Sequence, residues 1–217
     1  SFLLYQLMDQ LLVEEPDANI IYINFEDFAF SHIQTAEDMH AYIMSKFRKE
    51  KYNYIFVDEI QEIVNFERVI RSLLLNENND IYITGSNAKM LSGELATYLS
   101  GRYIEFSVYS LSYLEFLAFH KLENNNESLY LYSRYGGLPY LINLPLKDET
   151  VNEYLKSVYS TIVFRDVVSR YNLRNSSFLE KLVQFLSENI GNLFSAKNIS
   201  DYLKSQHSTI SVNQIQN

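Results

Sequence analysis

The sequence predicts an α/β fold in which a mostly parallel sheet carries helices on both faces. Short runs of β-branched and aromatic residues, such as 20–27 and 54–59, are typical of strands that are buried on both faces. Amphipathic helical patterns alternate with these runs along the first half of the chain, which is typical of parallel strands joined by crossover helices. Beyond residue 110 the strand signal fades, which indicates a helical second half.

Each element of the first half is predicted from its own pattern. Apolar residues recur at helical spacing directly after Ser1, so an amphipathic helix opens the chain. Thr35 and Asp38 form a capping pair that begins a second helix. Two further helical patterns cover 66–75 and 90–101. Strands are predicted at 20–27, 54–59, 81–86 and 102–108.

The second half is predicted from capping residues and helix breakers. Ser112 and Glu115 form another capping pair, which begins a helix. The polar run 123–128 indicates a loop, and the glycines within 136–141 indicate a sharp turn. Longer helical patterns cover 150–172 and 176–189, and a further one ends the chain. The predicted organisation is an α/β core at 1–109, a helical region at 110–175 and a last segment at 176–217.

The composition fits a soluble globular protein and excludes several kinds of site. Hydrophobic residues make up 47% of the 217 residues, and the net charge of -9 argues against nucleic-acid binding over the whole surface. The absence of cysteine excludes disulfides and thiolate metal sites. No signal peptide or membrane-spanning run is visible, so we expect a cytoplasmic protein without membrane contact.

Two neighbouring acids, Asp58 and Glu59, follow directly after an apolar strand. In an open parallel sheet, ligands bind at the carboxyl ends of the strands. Asp58 there would hold magnesium, because a hard dication needs oxygen ligands. Glu59 would polarise the water that attacks a γ-phosphate. The alternative is a strand that ends in acids because the chain returns to solvent, and the peptide alone leaves both interpretations open.

Four further positions are candidates for the same chemistry. Thr84, Ser86 and Asn87 follow the next strand, where small polar groups can sense a γ-phosphate; the alternative is an ordinary turn. Arg102 precedes a predicted strand and could stabilise charge on a transferring phosphoryl group, or pair with a surface acid.

Taken together, six blocks occur in a fixed order: IIYINFED, YIFVDEIQEI, IYITGSNAKMLSGELATYLSGRYIEF, SLSYLEFL, YGGLPYL and FRDVVSRYNLRN. They resemble the prokaryotic AAA-type P-loop ATPases that carry a C-terminal domain of unknown function, and the resemblance covers nearly the whole chain. It implies a P-loop core, a helical lid, a winged-helix domain and, beyond residue 217, a nuclease-like domain. The implied function is Mg-dependent ATP binding and hydrolysis, coupled to a conformational change on an unknown partner or a second copy.

The resemblance also implies roles for individual residues. Asp58 matches the magnesium-binding acid, and Glu59 matches the catalytic acid. Thr84 and Ser86 fall in the strand that senses the γ-phosphate, and Arg102 matches the arginine that follows this strand.

The chain departs from the family pattern at its start. A phosphate loop reads G-x-x-x-x-G-K-[ST] and opens directly into a helix, and Ser1 matches its last residue, whose hydroxyl binds magnesium. The glycines and the lysine of the loop are absent, and so is the central strand before it. We therefore expect a fragment of a longer protein, and we expect these 217 residues alone to bind Mg-ATP poorly or not at all.

A different function remains open for the end of the chain. The stretch 199–217 is typical of the middle of a winged helix, in which Asn213 and Gln214 could read adenine edges. The basic residues nearby are Lys197, Lys204 and His207. The alternative function is therefore a winged-helix DNA-binding protein whose α/β part is a non-hydrolysing scaffold.

A third hypothesis is a metal-dependent nuclease that uses Asp58, Glu59 and Glu62. The sequence places no lysine nearby in the arrangement that such sites commonly use. This hypothesis is therefore the weakest of the three.

Overall fold

The computed structural model describes residues 1–85, 99, 101–162 and 176–205. The chain divides into two compact units, Ser1–Phe106 and Ser107–Asn217. The first unit contains the sheet, and the described elements of the second unit are helical. No helix in the described ranges is both long and apolar enough to cross a membrane.

The sheet of the first unit consists, in its described part, of three parallel strands in the order β1-β2-β3. They are β1 (Asn19–Asn24), β2 (Asn53–Asp58) and β3 (Asn79–Ile83). Every residue of β2 is buried because β2 lies between two neighbours and both of its faces are covered. The predicted parallel sheet is thus confirmed for three of its four predicted strands.

Helices cover the two faces of this sheet. They are α1 (Phe2–Glu14), α2 (Ala36–Lys46) and α3 (Phe66–Leu73). Side chains alternate across a strand, so Ile55 and Val57 of β2 pack with α2 and α3, whereas Tyr54 and Phe56 pack with α1. The predicted capping box at the start of α2 is present, with reciprocal hydrogen bonds between Thr35 and Asp38.

The prediction of a fourth strand at 102–108 is wrong: these residues form no strand. Ile104, Phe106 and Val108 are exposed there, although their types favour strands. A strand exists only where its backbone N–H and C=O groups pair with a neighbouring strand. In the described part of the chain β3 pairs with β2 alone, so its outer edge offers residues 102–108 no established partner.

The second unit contains five described helices: α4 (Tyr113–His120), α5 (Asn126–Tyr135), α6 (Asp148–Thr161), α7 (Ser176–Glu188) and α8 (Ala196–Ser205). The predicted capping box of Ser112 and Glu115 begins α4. The predicted loop at 123–128 is too long, because the Asn125 side chain accepts from the Ser128 backbone N–H and α5 begins at Asn126.

The predicted sharp turn at 136–141 is present. Gly136 has a φ of 75°, a value that favours glycine. A Cβ on Gly137 would lie 2.1 Å from the Leu111 carbonyl oxygen, so this position requires glycine for close backbone approach. Most of the predicted helix at 90–101, the end of the pattern at 150–172 and the last helical pattern lie outside the described residues.

Asn53 fixes the start of the central strand. Its side chain is fully buried, and its oxygen accepts from the Asn19 amide at 2.7 Å and from the Arg48 backbone N–H at 3.0 Å. Its amide nitrogen donates to the carbonyls of Arg48 at 3.2 Å and Lys51 at 3.1 Å. One side chain therefore satisfies the backbone of the loop that leads into β2.

We predict that Asn53→Leu lowers the free energy of unfolding by about 2–4 kcal/mol, because it leaves buried donors and acceptors without partners. Asn78→Leu is the matched control, because Asn78 directly precedes β3 and is exposed. Urea denaturation followed by circular dichroism measures both variants. Equal losses in the two variants would contradict the role assigned to Asn53.

Candidate functional site

The carboxyl ends of the three described strands meet at one edge of the sheet. Asp58 is the last residue of β2, and its register partner on β1 is Asn24. Thr84 directly follows β3, and its backbone N–H donates to the Val57 carbonyl at 2.9 Å. Parallel packing thus places Asp58 and Thr84 side by side, as expected for a ligand-binding edge.

The Asp58 side chain is fully buried although it is an acid at a strand end. The Thr84 hydroxyl donates to its Oδ1. The Ser1 nitrogen lies 3.4 Å from Oδ2, and the Tyr22 hydroxyl lies 3.5 Å from the same oxygen. A strand that returned to solvent would expose its terminal acid, so the geometry disfavours that interpretation of Asp58.

Ser1 reaches this edge because it begins α1. It occupies the N-cap position of the helix, but its side chain makes no capping hydrogen bond. The Ser1 hydroxyl hydrogen-bonds the Asp58 carboxylate instead. The first helix thereby brings a hydroxyl to the same carboxylate that Thr84 contacts from the neighbouring strand.

Two opposing effects set the pKa of Asp58. Burial raises the pKa of the carboxyl, because a charge is costly away from water. Hydrogen bonds from the hydroxyls of Ser1 and Thr84 lower it. The net result is a pKa below the ordinary value, so Asp58 is ionised at neutral pH.

Glu59 occupies a left-handed backbone conformation, with φ 56° and ψ 44°. This turn returns the chain to the sheet, because the next N–H, that of Ile60, donates to the Thr84 carbonyl at 3.1 Å. Ile60 is fully buried as a result, which explains why an apolar residue directly follows two acids. The Glu59 side chain stays partly exposed at the site.

Gln61 is a site residue that the sequence analysis did not identify. Its Nε2 donates to Glu59 Oε2 at 2.5 Å, so it orients the carboxylate of the candidate catalytic acid. Its Oε1 is buried and has no hydrogen-bond partner among the described residues. A glutamine two residues beyond an acid carries no recognisable signal, because the contact depends on the left-handed turn at Glu59.

Tyr22 was also missed. Its hydroxyl lies 2.9 Å from the Tyr5 hydroxyl and 3.5 Å from Asp58 Oδ2. Burial and the hydrogen bond to Tyr5 raise the pKa of Tyr22, so it remains a protonated donor beside the carboxylate. The alternation of side chains along β1 places Tyr22 on the same face as Asn24, which is the signal that could have identified it.

Of the remaining predicted site residues, Arg102 is the one that the structure describes. Arg102 lines a cavity whose described lining includes neither Asp58 nor Glu59. Ser86 and Asn87 lie outside the described residues, as do Asn213 and Gln214. The structure therefore brings together Ser1, Asp58 and Thr84, with Glu59 beside them.

The donor set at Asp58 fits a magnesium ion that is shared with a phosphate. It offers carboxylate and hydroxyl oxygens, which are hard ligands, and magnesium is usually bound through one or two carboxylates plus substrate phosphates. Among the described residues no group of three or more His, Asp or Glu side chains could hold a metal by itself.

We predict that Asp58→Asn lowers the free energy of unfolding by about 1–3 kcal/mol at pH 7, because the ionised carboxylate is the form that its donors stabilise. The folded-state pKa lies below the unfolded value of about 3.9. The stability that the ionised Asp58 carboxylate contributes is therefore complete above the unfolded-state pKa. It disappears as the pH falls through the folded-state pKa. Urea denaturation between pH 7 and pH 3 measures the difference between wild type and variant.

Asp9→Asn is the matched control for this measurement, because Asp9 is an exposed acid on α1. The control should differ little from wild type at every pH. A difference for Asp58→Asn that grows toward low pH would contradict the assigned direction of the pKa shift.

Comparison with known proteins adds two families and two relatives. Residues 1–117 match the family described as AAA domain, and residues 126–213 match a domain of unknown function, DUF8612. An uncharacterized protein of Haemophilus influenzae is 36% identical over 213 residues, which is 95% of this chain and 52% of the relative. An uncharacterized protein of Methanocaldococcus jannaschii is 29% identical over 226 residues, which is 97% of this chain and 49% of the relative. The chain thus spans about half the length of these curated relatives.

The AAA-domain match contains the whole edge described above, from Ser1 through Asp58 to Thr84, and Arg102 as well. It confirms the predicted resemblance to an AAA-type family. The winged helix and the nuclease-like domain stay predictions. Because the match at residues 1–117 covers more than half of the 217 residues, the chain belongs to the AAA domain family.

Proposed function

We propose that the full-length protein binds and hydrolyses Mg-ATP at the edge formed by Ser1, Asp58, Glu59 and Thr84. The observation that carries the proposal is the buried, ionised Asp58 carboxylate, which hydroxyls from α1 and from the end of β3 both contact. A buried, ionised carboxylate that hydroxyl groups contact suits a site that receives a cation with its ligand. Membership of the AAA domain family supports nucleotide as that ligand.

Asp58 and the Ser1 hydroxyl are the groups that would hold magnesium. The bound ion would neutralise charge that develops on the phosphate oxygens during transfer. The Thr84 hydroxyl keeps Asp58 ionised and oriented, and it is also close enough to the strand ends to contact a phosphate. Ser86 and Asn87 keep their predicted roles in sensing the γ-phosphate. Arg102 is not assigned to this site, because the described lining of its cavity includes neither Asp58 nor Glu59.

Glu59 is the proposed general base. Its carboxylate would accept a proton from the attacking water, a role that requires hydrogen-bond reach and a defined orientation. The left-handed turn fixes the backbone position of Glu59. The hydrogen bond from Gln61 fixes the position of its carboxylate. Gln61 is therefore a positioning residue in this proposal.

Two further parts complete the proposed enzyme. A phosphate loop would precede Ser1 in the full-length protein, and the strand before that loop would pair with the outer edge of β3. We keep the predicted organisation for the proposed enzyme. It has an α/β core at 1–109, a helical lid at 110–175 and the first part of a winged helix at 176–217. ATP turnover would drive a conformational change on a protein partner.

The central test compares two chains, the 217 residues and a chain that continues upstream of Ser1. We predict that a fluorescent ATP analogue binds the longer chain in the presence of magnesium and binds the shorter chain poorly. In the longer chain, Glu59→Gln should retain binding and lose about 100-fold or more of the ATP turnover, which is the usual contribution of a general base. Phosphate release measures turnover.

Glu62→Gln is the matched control, because Glu62 is an exposed acid three residues further along the chain. It should leave binding and turnover unchanged. Absence of Mg-dependent binding in both chains would contradict the proposal and favour the non-hydrolysing scaffold with a DNA-binding winged helix. Equal turnover in Glu59→Gln and wild type would remove Glu59 from the catalytic role.

A further inference from the structure

Three arginines line one cavity on the first unit. Arg68 and Arg71 lie on α3, three residues apart and therefore on one face of the helix. Arg102 lies on a separate segment. The chain turns there at Gly101, which has a φ of 72°, and the Arg102 N–H donates to the Leu99 carbonyl. The cavity has a volume of about 530 Å³. The fold thus brings three positive charges around one space.

All three arginines are exposed to water, which screens their mutual repulsion, and a bound anion would relieve it further. Like charges on one face of a helix repel each other, and a third charge adds to the repulsion. In the described residues none of the three guanidinium groups forms an ion pair with a carboxylate. The chain has 27 acids against 18 lysines and arginines, so carboxylates are plentiful elsewhere. The convergence of unpaired arginines therefore points to a ligand.

The cavity has the composition of a site for a small phosphorylated molecule. Guanidinium groups match the geometry of phosphate oxygens through paired N–H donors. The Ser72 hydroxyl adds a neutral donor, and Leu74 and the buried Leu99 provide an apolar wall. The volume lies within the range of small-ligand pockets, about 300–1,000 Å³.

A second cavity of about 540 Å³ adjoins the first, because both are lined by Arg68 and Ser72. Its other polar lining consists of Gln34, Thr35, Glu37, His40 and Asn65. Amide, hydroxyl and imidazole groups suit a neutral, hydroxyl-rich body rather than a second anion, since Glu37 would repel one. The two cavities together match a ligand with a phosphate at one end and a polar body at the other.

We propose that Arg68, Arg71 and Arg102 bind the phosphate of a small phosphate monoester whose polar body lies in the adjoining cavity. This site goes beyond the proposed ATPase, because the lining of both cavities lacks Asp58 and Glu59. It also requires no magnesium, since the arginines themselves supply the positive charge. It would let a phosphorylated metabolite bind the core independently of ATP.

The test uses the 217-residue chain in EDTA, which removes any contribution of a metal-dependent site. Inorganic phosphate and ribose 5-phosphate are the probes, at constant ionic strength, and arginine side-chain N–H signals in NMR spectra report binding. Arg71→Gln should weaken the affinity for both probes about tenfold, the loss expected for one charge-assisted contact to phosphate. Arg68→Gln, on the same helix face, should weaken it similarly.

Arg48→Gln is the matched control, because Arg48 is an exposed arginine beyond the end of α2 and lines neither cavity. It should bind both probes as wild type does. Ribose 5-phosphate should bind more tightly than inorganic phosphate if the second cavity holds the body of the ligand.

Three results would overturn the proposal. Equal weakening in Arg48→Gln would show attraction to general surface charge only. Equal affinity for the two probes would show that the second cavity does not bind the body of the ligand. A single-stranded oligonucleotide that displaces ribose 5-phosphate and binds more tightly would identify a nucleic-acid surface instead. Because ATP and magnesium are absent, failure here leaves the result for the ATPase proposal unaffected.

Discussion

Burial of an ionised carboxylate is the constraint on which the first unit depends. Removing such a charge from water costs several kcal/mol unless donors replace the lost hydration. Asp58 meets this requirement at the end of a strand that is buried along its whole length, with hydroxyls from Ser1 and Thr84 and the nearby Tyr22. The Asp58 side chain therefore holds α1, β1 and β3 in place relative to β2.

The same constraint connects the fold with the chemistry. Hydroxyl groups can donate to a carboxylate and can also present lone pairs to a cation, so Ser1 suits either state of the site. Glu59 lies outside the buried network because the chain turns left-handed there and Ile60 enters the core in its place. Neighbouring acids thereby acquire different environments, one fully buried and one partly exposed. Such a division of roles between adjacent acids is what phosphoryl transfer to water requires.

Much of this arrangement could be predicted from local sequence, and the rest depends on contacts between distant segments. Residue type predicted the three strands, and the rule that ligands bind at the carboxyl ends of parallel strands made Asp58 and Thr84 candidates for the same chemistry. The failure at 102–108 has a physical origin, because a strand needs a partner that local pattern cannot supply. The Gln61 contact depends on one left-handed residue, and the meeting of Arg71 with Arg102 depends on the tertiary fold.

A crystal structure of the chain extended upstream of Ser1, grown with magnesium and a non-hydrolysable ATP analogue, tests the central claim most directly. The account predicts a metal ion that binds the Ser1 hydroxyl at about 2.0–2.1 Å and contacts Asp58 directly or through one water. It also predicts the γ-phosphate analogue within hydrogen-bond reach of a water held by Glu59. Nucleotide bound away from this edge, with Asp58 still hydrogen-bonded to Ser1 and Thr84 and no metal beside it, would contradict the account.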